Sequence, residues 1–137
     1  MLRFILISSS FLWLSVSGFS NAESISIMTF NVENLFDNTN DVGKNDETYL
    51  PLTYKTSSQH IEKCRKIIVK IWRDQCFFWD WNDIVVDRKL AVVGSVIKQV
   101  DGGRGPDIIS LQEIENIDIL KRLRDEHLVG LGYEAPL

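Results

Sequence analysis

Two short apolar segments of this chain each contain polar side chains that can bind a cation or a phosphate. "TFNVENLFD" covers residues 29–37, and "PDIISLQEIEN" covers residues 106–116. About eighty residues separate the two polar positions, and the chain between them contains helix-like stretches. A long helical connection suits parallel strands, because parallel neighbours need a crossover rather than a tight turn. The pattern therefore predicts an α/β fold in which both segments end at one edge of a sheet.

Apolar periodicity predicts where the other elements lie. We expect strands over 24–32 and 107–112, and helices over 57–72, 87–100 and 116–129. The stretch 37–57 is polar and aperiodic, which indicates a solvated loop. The final "GYEAPL" resembles the start of a further strand. With 137 residues, 45% of them hydrophobic, the chain supports one small globular domain.

The N-terminal 22 residues have the pattern of a secretory signal peptide. Arg3 precedes an apolar run, and Ser20 and Ala22 stand at the two positions that a signal peptidase reads. An uncleaved membrane anchor is the alternative, but the run is short and interrupted by serines. We therefore expect a mature domain over 23–137, secreted or periplasmic, without stable membrane association after cleavage.

The two cysteines, Cys64 and Cys76, are expected to form a disulfide. An exported protein meets an oxidising environment in which such a pair is stable. Metal binding is the alternative, because His60 and Cys64 lie four residues apart on a predicted helix. Two ligands do not make a zinc site, and no clear third ligand is nearby in the sequence.

An aromatic stretch, "RDQCFFWDWND", follows the first predicted helix. Its four large aromatic side chains could stack on nucleobases. The alternative, which we favour, is a hydrophobic plug held in place by Cys76. The four residues are Phe77, Phe78, Trp79 and Trp81.

Two polar residues, Asn31 and Glu113, lie near the carboxyl ends of the two predicted strands. Open α/β folds bind ligands at that edge of the sheet. Carboxylate and carboxamide oxygens suit Mg²⁺, which is typically held by one or two carboxylates, water and substrate phosphate. The alternative is structural, because an acid after a strand often caps the following helix.

The two segments together, "MTFNVENLFD" and "PDIISLQEIEN", resemble the opening motifs of the endonuclease/exonuclease/phosphatase superfamily, which has the deoxyribonuclease I-like fold. The form NVENLFD is most similar to bacterial secreted nucleases of that group. The resemblance implies a four-layer α/β/β/α sandwich, of which this chain would be the N-terminal part. It also implies hydrolysis of phosphate esters with Mg²⁺ or Mn²⁺, on DNA, RNA, phosphoinositides or sphingomyelin.

The same resemblance implies roles for three residues. Glu113 matches the metal-binding glutamate, and Asn31 matches the asparagine that positions the metal-bound phosphate region. Glu33 matches a position where relatives often carry an acid near the metal. We therefore expect Glu113, Asn31 and Glu33 at a metal site, the first two also acting in catalysis, and no small-molecule cofactor.

The chain departs from the family in its later motifs, which supply a central histidine, an Asp-x-Asn and a Ser-Asp-His. Gln59 precedes His60 and Glu126 precedes His127, so neither histidine belongs to an Asp-His pair. We therefore expect an incomplete and inactive portion of an exported metal-dependent nuclease, with nucleic acid as the substrate of the complete enzyme. A phosphatase or lipid phosphodiesterase of the same fold is one alternative. A non-catalytic exported binding domain is another. The net charge of −4 argues against a protein that coats nucleic acid through a basic surface.

Overall fold

The computed structural model describes residues 24–137, so the predicted signal peptide lies outside the described residues. Strands β1 (Ile27–Leu35) and β2 (Ile108–Ile114) pair in parallel and form a two-stranded sheet. The helices are α1 (Ser58–Arg65), α2 (Lys70–Phe78), α3 (Asp83–Gln99) and α4 (Ile117–Arg122). The mixed α/β arrangement confirms the predicted fold class. Strand β1 begins and ends three residues later than predicted.

One hydrophobic core lies between the sheet and helices α3 and α4. Alternate side chains of β1 point toward it, so that Met28 and Phe30 are partly buried and Val32 is buried. Helix α3 begins after Asn82, whose side chain accepts a hydrogen bond from the Val85 backbone N–H. The buried members of the core come from β1, α3, α4 and the residues that follow α4: Val32, Leu35, Val86, Leu90, Val93, Ile97, Ile119, Leu123 and Leu128.

The C-terminal region is less regular than the sequence indicates. Asn116 caps α4 as predicted, accepting from the backbone N–H groups of Asp118 and Ile119. Helix α4 then passes into a π-helical turn, Leu123–His127. The expected strand at the end of the chain is wrong, because residues 133–137 have no regular structure. Tyr133 is held there by its side chain, which donates to the Pro106 carbonyl at 2.7 Å.

The predicted helix over 57–72 is two helices with a break at residues 66–69. The break lets the chain turn back, so that the Cα atoms of Cys64 and Cys76 lie 5.6 Å apart in a disulfide. In one continuous helix two residues with their separation of 12 would be about 18 Å apart. The predicted disulfide is thus confirmed. The single predicted helix is wrong, because the bond between Cys64 and Cys76 requires the chain to turn back between α1 and α2.

The stretch 37–57 is not the solvated loop that its composition suggests. It contains two 3-10 turns, Glu47–Tyr49 and Leu52–Tyr54, and buries Asp46, Leu50 and Lys55. Asp46 accepts from the Asp41 backbone N–H at 2.6 Å, and the Lys55 ammonium donates to the Thr48 carbonyl at 2.8 Å. A segment whose polar side chains are buried and bonded to nearby backbone can have the same amino-acid composition as a solvated loop. Composition alone therefore does not distinguish the two.

No helix within residues 24–137 combines the length and the apolar character that crossing a membrane requires.

Replacing both cysteines by alanine should lower the free energy of unfolding by about 3 kcal/mol, because the disulfide restricts the unfolded chain. The measurement is urea unfolding followed by circular dichroism, with and without reductant. Reductant should destabilise the parent protein and leave the double variant unchanged. Equal stability of the two proteins under oxidising conditions would contradict the prediction.

Burial lowers the pKa of Lys55 to about 8, and the nearby Asp80 carboxylate only partly offsets this. Between about pH 8 and the ordinary lysine pKa near 10.4, the unfolded state binds more protons than the folded state. The stability of the parent should therefore rise relative to Lys55→Met from pH 7 to pH 10, by on the order of 2 kcal/mol. Chemical unfolding at several pH values measures this difference.

The matched control is Lys98→Met, which removes an exposed lysine. Its stability difference from the parent should stay flat over the same pH range. A flat difference for Lys55→Met as well would show that Lys55 keeps an ordinary pKa in the folded protein.

Candidate metal and phosphate site

A bulge in β1 brings the two motifs together. Pairing runs in register from Ile27 with Ile108 to Asn31 with Gln112, and resumes at Leu35 with Ile114. Three residues of β1 therefore stand opposite the single residue Glu113. A bulge of this kind bends a strand and redirects its side chains. Both motifs thus meet at the carboxyl end of the sheet, where the sequence placed them.

The Glu113 carboxylate is held by two donors from β1. The Asn31 side-chain amide donates to one oxygen at 2.7 Å, and the Asn34 backbone N–H donates to the other at 3.1 Å. An ionised carboxylate offers about four acceptor positions, so capacity remains for a further partner. Glu113 is exposed, and this remaining capacity is accessible to solvent.

The orientation of the Asn31 amide is fixed by its second hydrogen bond. Its oxygen accepts from the Glu33 backbone N–H at 2.8 Å, which leaves the NH₂ group to face Glu113. In this geometry the Asn31 NH₂ group orients Glu113, and the Asn31 oxygen does not point toward that carboxylate. The hydrogen bonds therefore favour a positioning role for Asn31, and metal ligation by Asn31 remains a prediction.

Strained backbone is concentrated at this site. Glu33, Asn34 and Glu113 have φ values of 53°, 64° and 63°, and the one other non-glycine residue with positive φ in the described chain is Asp101. Asparagine tolerates this left-handed conformation, but for glutamate it costs roughly 1–2 kcal/mol. Strain of this kind persists where the surrounding structure enforces it, often at functional sites. Here it exposes the Asn34 N–H to Glu113.

A cavity of about 700 Å³ opens in front of these residues. Glu33, Asn34 and Glu113 line one side of it, and Lys89 lies beside them with its ammonium donating to the Glu33 carbonyl at 3.0 Å. Glu33 lines the same cavity as Glu113, and a role for it near a metal remains a prediction. The volume of the cavity lies within the range of small-molecule and cofactor sites.

The residues present fit a hydrated Mg²⁺ or Mn²⁺. Glu113 supplies a solvent-facing carboxylate, and Glu33 supplies a second oxygen donor at the same cavity. Magnesium keeps several waters and needs only one or two carboxylates when a substrate phosphate completes its coordination. A closed set of protein ligands is therefore not required, and the open cavity leaves room for water and phosphate.

Further carboxylates make the surroundings of the site acidic. Burial raises the pKa of Glu115 to about 7; the hydrogen bond from the Asp37 backbone N–H, at 2.9 Å, lowers this pKa in part, and the charges of Asp37, Asp46 and Asp41 contribute to the rise. Burial also raises the pKa of Tyr49, and the charges of Glu113 and Glu115 add to that effect. Crowded negative charge favours a cation nearby.

A second cluster, of His60, Cys64 and Cys76, has its potential ligand atoms close together but is not a metal site. Both cysteines are oxidised in the disulfide, so neither supplies a thiolate. The buried His60 ring nitrogen Nε2 lies 3.1 Å from the Cys76 carbonyl, and burial lowers its pKa. The predicted preference for a disulfide over metal binding is consistent with this arrangement.

The chain matches no protein-family model, no curated protein and no solved structure. Conclusions about function therefore depend on the geometry of the site and on the two motifs.

Several residues at the cavity were not singled out from the sequence. Trp72 and Gln75 line it from α2, Tyr49 lines it from the first 3-10 turn, and Lys89 lines it from α3. Their sequence positions are remote from the motifs, and only the fold brings them to the site. The aromatic stretch was the one available signal, because Trp79 and Trp81 belong to it.

Glu33→Gly should stabilise the protein by about 1 kcal/mol relative to Glu33→Ala, because glycine adopts a φ of 53° without the steric penalty. The measurement is the free energy of unfolding of both variants in urea. The control pair is Glu62→Gly and Glu62→Ala in α1, where glycine should be the less stable by about 1 kcal/mol. The same order at both positions would contradict the strain at Glu33.

Proposed function

We propose that this chain carries the metal- and phosphate-binding part of an exported metal-dependent phosphodiesterase, with a nuclease acting on DNA or RNA as the favoured activity. One observation carries the proposal. The Glu113 carboxylate is held by the Asn31 amide and the Asn34 N–H at the bulged end of two parallel strands, and it faces an open cavity. The resemblance of the two motifs to the endonuclease/exonuclease/phosphatase superfamily supports the phosphate-ester chemistry.

Each residue has a distinct role in this proposal. Glu113 is the metal ligand, Asn31 orients it, and Glu33 is a second acid at the same cavity. A bound Mg²⁺ or Mn²⁺ would polarise a phosphoryl oxygen and stabilise charge on the leaving oxygen. Lys89 also lines the cavity, and its ammonium can pair with a phosphate oxygen once its hydrogen bond to the Glu33 carbonyl breaks.

The four-layer sandwich belongs to the same proposal. The core covers one face of the sheet, whereas the other face presents Ile27 and Ile108 to solvent. Exposed isoleucines that pair across a sheet favour a further layer on that face, because apolar area gains free energy when it is covered. A second sheet packed there would give the family architecture, and Asn31 lies on this same face.

The attacking water would need a general base, and the histidine expected for that role does not line the described cavity. His60 is buried beside the disulfide, and His127 packs against Gly94 of α3; neither lines the cavity at Glu113. Loss of a general base typically costs on the order of a hundred- to ten-thousand-fold in rate. We therefore expect no turnover above buffer from this chain alone. This observation also favours a second candidate function, a non-catalytic exported binding domain.

Export is supported by the disulfide, since such bonds persist in oxidising compartments and are rare in the cytosol.

Manganese binding tests the proposed site directly. Titration of the chain with Mn²⁺, followed by electron paramagnetic resonance, should show one site. Glu113→Gln should weaken its affinity about tenfold or more, because a charged ligand is lost. Asn31→Ala should weaken it by about tenfold, as expected for a residue that orients a ligand. Glu62→Gln on α1 is the matched control and should bind like the parent.

An activity assay accompanies the titration, with plasmid DNA, RNA and a simple phosphodiester in Mg²⁺ and in Mn²⁺. We expect no hydrolysis above buffer. Hydrolysis that disappears in Glu113→Ala would support the site but show that a base is present after all. Manganese binding that is unaffected by Glu113→Gln would contradict the proposed function.

A further inference from the structure

Aromatic side chains line much of the cavity that Glu113 also lines, and together they form its aromatic wall. Helix α2 contributes Trp72 and Gln75, and Trp79 follows at its C-terminal end. Residues spaced three and four apart lie on one face of a helix, so these three side chains form one continuous surface. Trp81 and Tyr49 lie next to them at the cavity.

The supporting rings are fixed in place. The Trp81 indole N–H donates to the Phe36 carbonyl at 3.1 Å, and its backbone N–H donates to the Leu50 carbonyl at 3.2 Å. Tyr49 meets Trp81 edge-on, with ring centroids 5.2 Å apart, and stacks on Phe36 at 4.0 Å. The disulfide from Cys76 ties α2 to α1. The wall is therefore preorganised rather than dependent on a ligand for its shape.

Two of the indoles are left largely uncovered. Trp72 is 59% exposed and Trp79 is 43% exposed. The hydrophobic plug predicted for the aromatic stretch is wrong for Phe78 and Trp79, which are both exposed. Tryptophan offers the largest apolar area of any side chain, and leaving it in water forfeits the free energy of burial. Two exposed indoles that share a cavity with a carboxylate and a lysine indicate a ligand with both a flat apolar ring and a charge.

A nucleobase joined to a phosphate has both features. The Trp79 ring lies within 16° of parallel to the Trp81 ring, with centroids 6.5 Å apart, so a second indole supports it. A base in a duplex has both faces covered by its neighbours, so only an unpaired base can stack on protein side chains.

We propose that Trp72 and Trp79 form a stacking surface for an unpaired nucleobase beside Glu113, so that the protein binds single-stranded rather than duplex nucleic acid. The inference deepens the proposed function, on which it rests, by naming the form of the substrate. Stacking supplies affinity that does not depend on sequence, because every base has a π-face. The base then holds its adjoining phosphate near Glu113 and Lys89.

The test measures binding of fluorescein-labelled phosphorothioate strands by fluorescence anisotropy in Mg²⁺. Three ligands of about ten nucleotides or base pairs in length are compared: oligothymidylate, an abasic strand of the same charge, and a duplex. Oligothymidylate should bind at least about tenfold more tightly than the abasic strand or the duplex. Trp72→Ala and Trp79→Ala should each lower the affinity for oligothymidylate by about fivefold or more and leave abasic binding unchanged. Trp79→Phe, which keeps an aromatic face, should retain part of the affinity that Trp79→Ala loses.

Phe78→Ala is the matched control. Phe78 is the neighbouring aromatic residue on α2, is 72% exposed, and does not line the cavity. Its replacement should leave all three affinities unchanged, and circular dichroism should show every variant folded. An equal loss in Phe78→Ala and Trp79→Ala would overturn the proposal, because it would indicate general surface hydrophobicity.

Glu113→Gln separates this inference from the proposed function. If binding depends on Mg²⁺ and on Glu113 but shows no preference for bases, the metal site stands and the stacking surface is overturned. If the base preference depends on both tryptophans while Mg²⁺ and Glu113 have no effect, the stacking surface stands and the metal site falls. Tryptophan-dependent binding of phosphatidylcholine vesicles, with no binding of oligothymidylate, would overturn the nucleobase in favour of a lipid headgroup.

Discussion

The pairing of β1 with β2, and the place where it is interrupted, determines the geometry of the candidate site. The bulge opposite Glu113 interrupts the ladder between Asn31 and Leu35. It brings the Asn34 N–H and the Asn31 amide within hydrogen-bonding distance of the glutamate. Buried Val32 and Leu35 hold the bulged segment on both sides, so the hydrophobic core maintains the strained backbone. Core packing and site geometry are therefore energetically coupled.

The long connection between the strands has two separate structural tasks. Helix α3 covers the sheet and completes the core, as an ordinary parallel crossover does. The part before it, residues 37–82, extends the rim of the site. It contains the disulfide, the buried polar groups around Asp46 and Lys55, and the aromatic wall. A covalent bond and buried hydrogen bonds rigidify a segment whose few apolar core contacts would otherwise leave it mobile.

The sequence was sufficient to predict the features that follow from local pattern and chain topology. Parallel strand ends place Asn31 and Glu113 at one edge whatever the details of packing, and Ser57 and Asn116 cap helices through their own side chains. The helix break at residues 66–69 could not be seen, because the apolar stripe continues through it to an exposed Ile68. The aromatic wall was misjudged for a related reason. Composition gives the hydrophobicity of a segment, whereas tertiary packing decides which of its side chains remain in solvent.

The negative charge of the chain limits how it can bind a polyanion. Proteins that rely on many lysine and arginine contacts release counterions from the nucleic acid, and their affinity falls steeply with salt. Here the net charge is −4, and the carboxylates of Glu33 and Glu113 would repel a phosphate in the absence of a cation. A metal ion can reverse that local charge, and stacking on indoles does not depend on charge at all. In the proposed complex the two would be complementary. A bound metal ion would neutralise the phosphate without distinguishing the bases, whereas the aromatic wall would contact the base without neutralising its phosphate. Both groups of residues line one cavity, which would suit a single nucleotide with a charged end and a flat end.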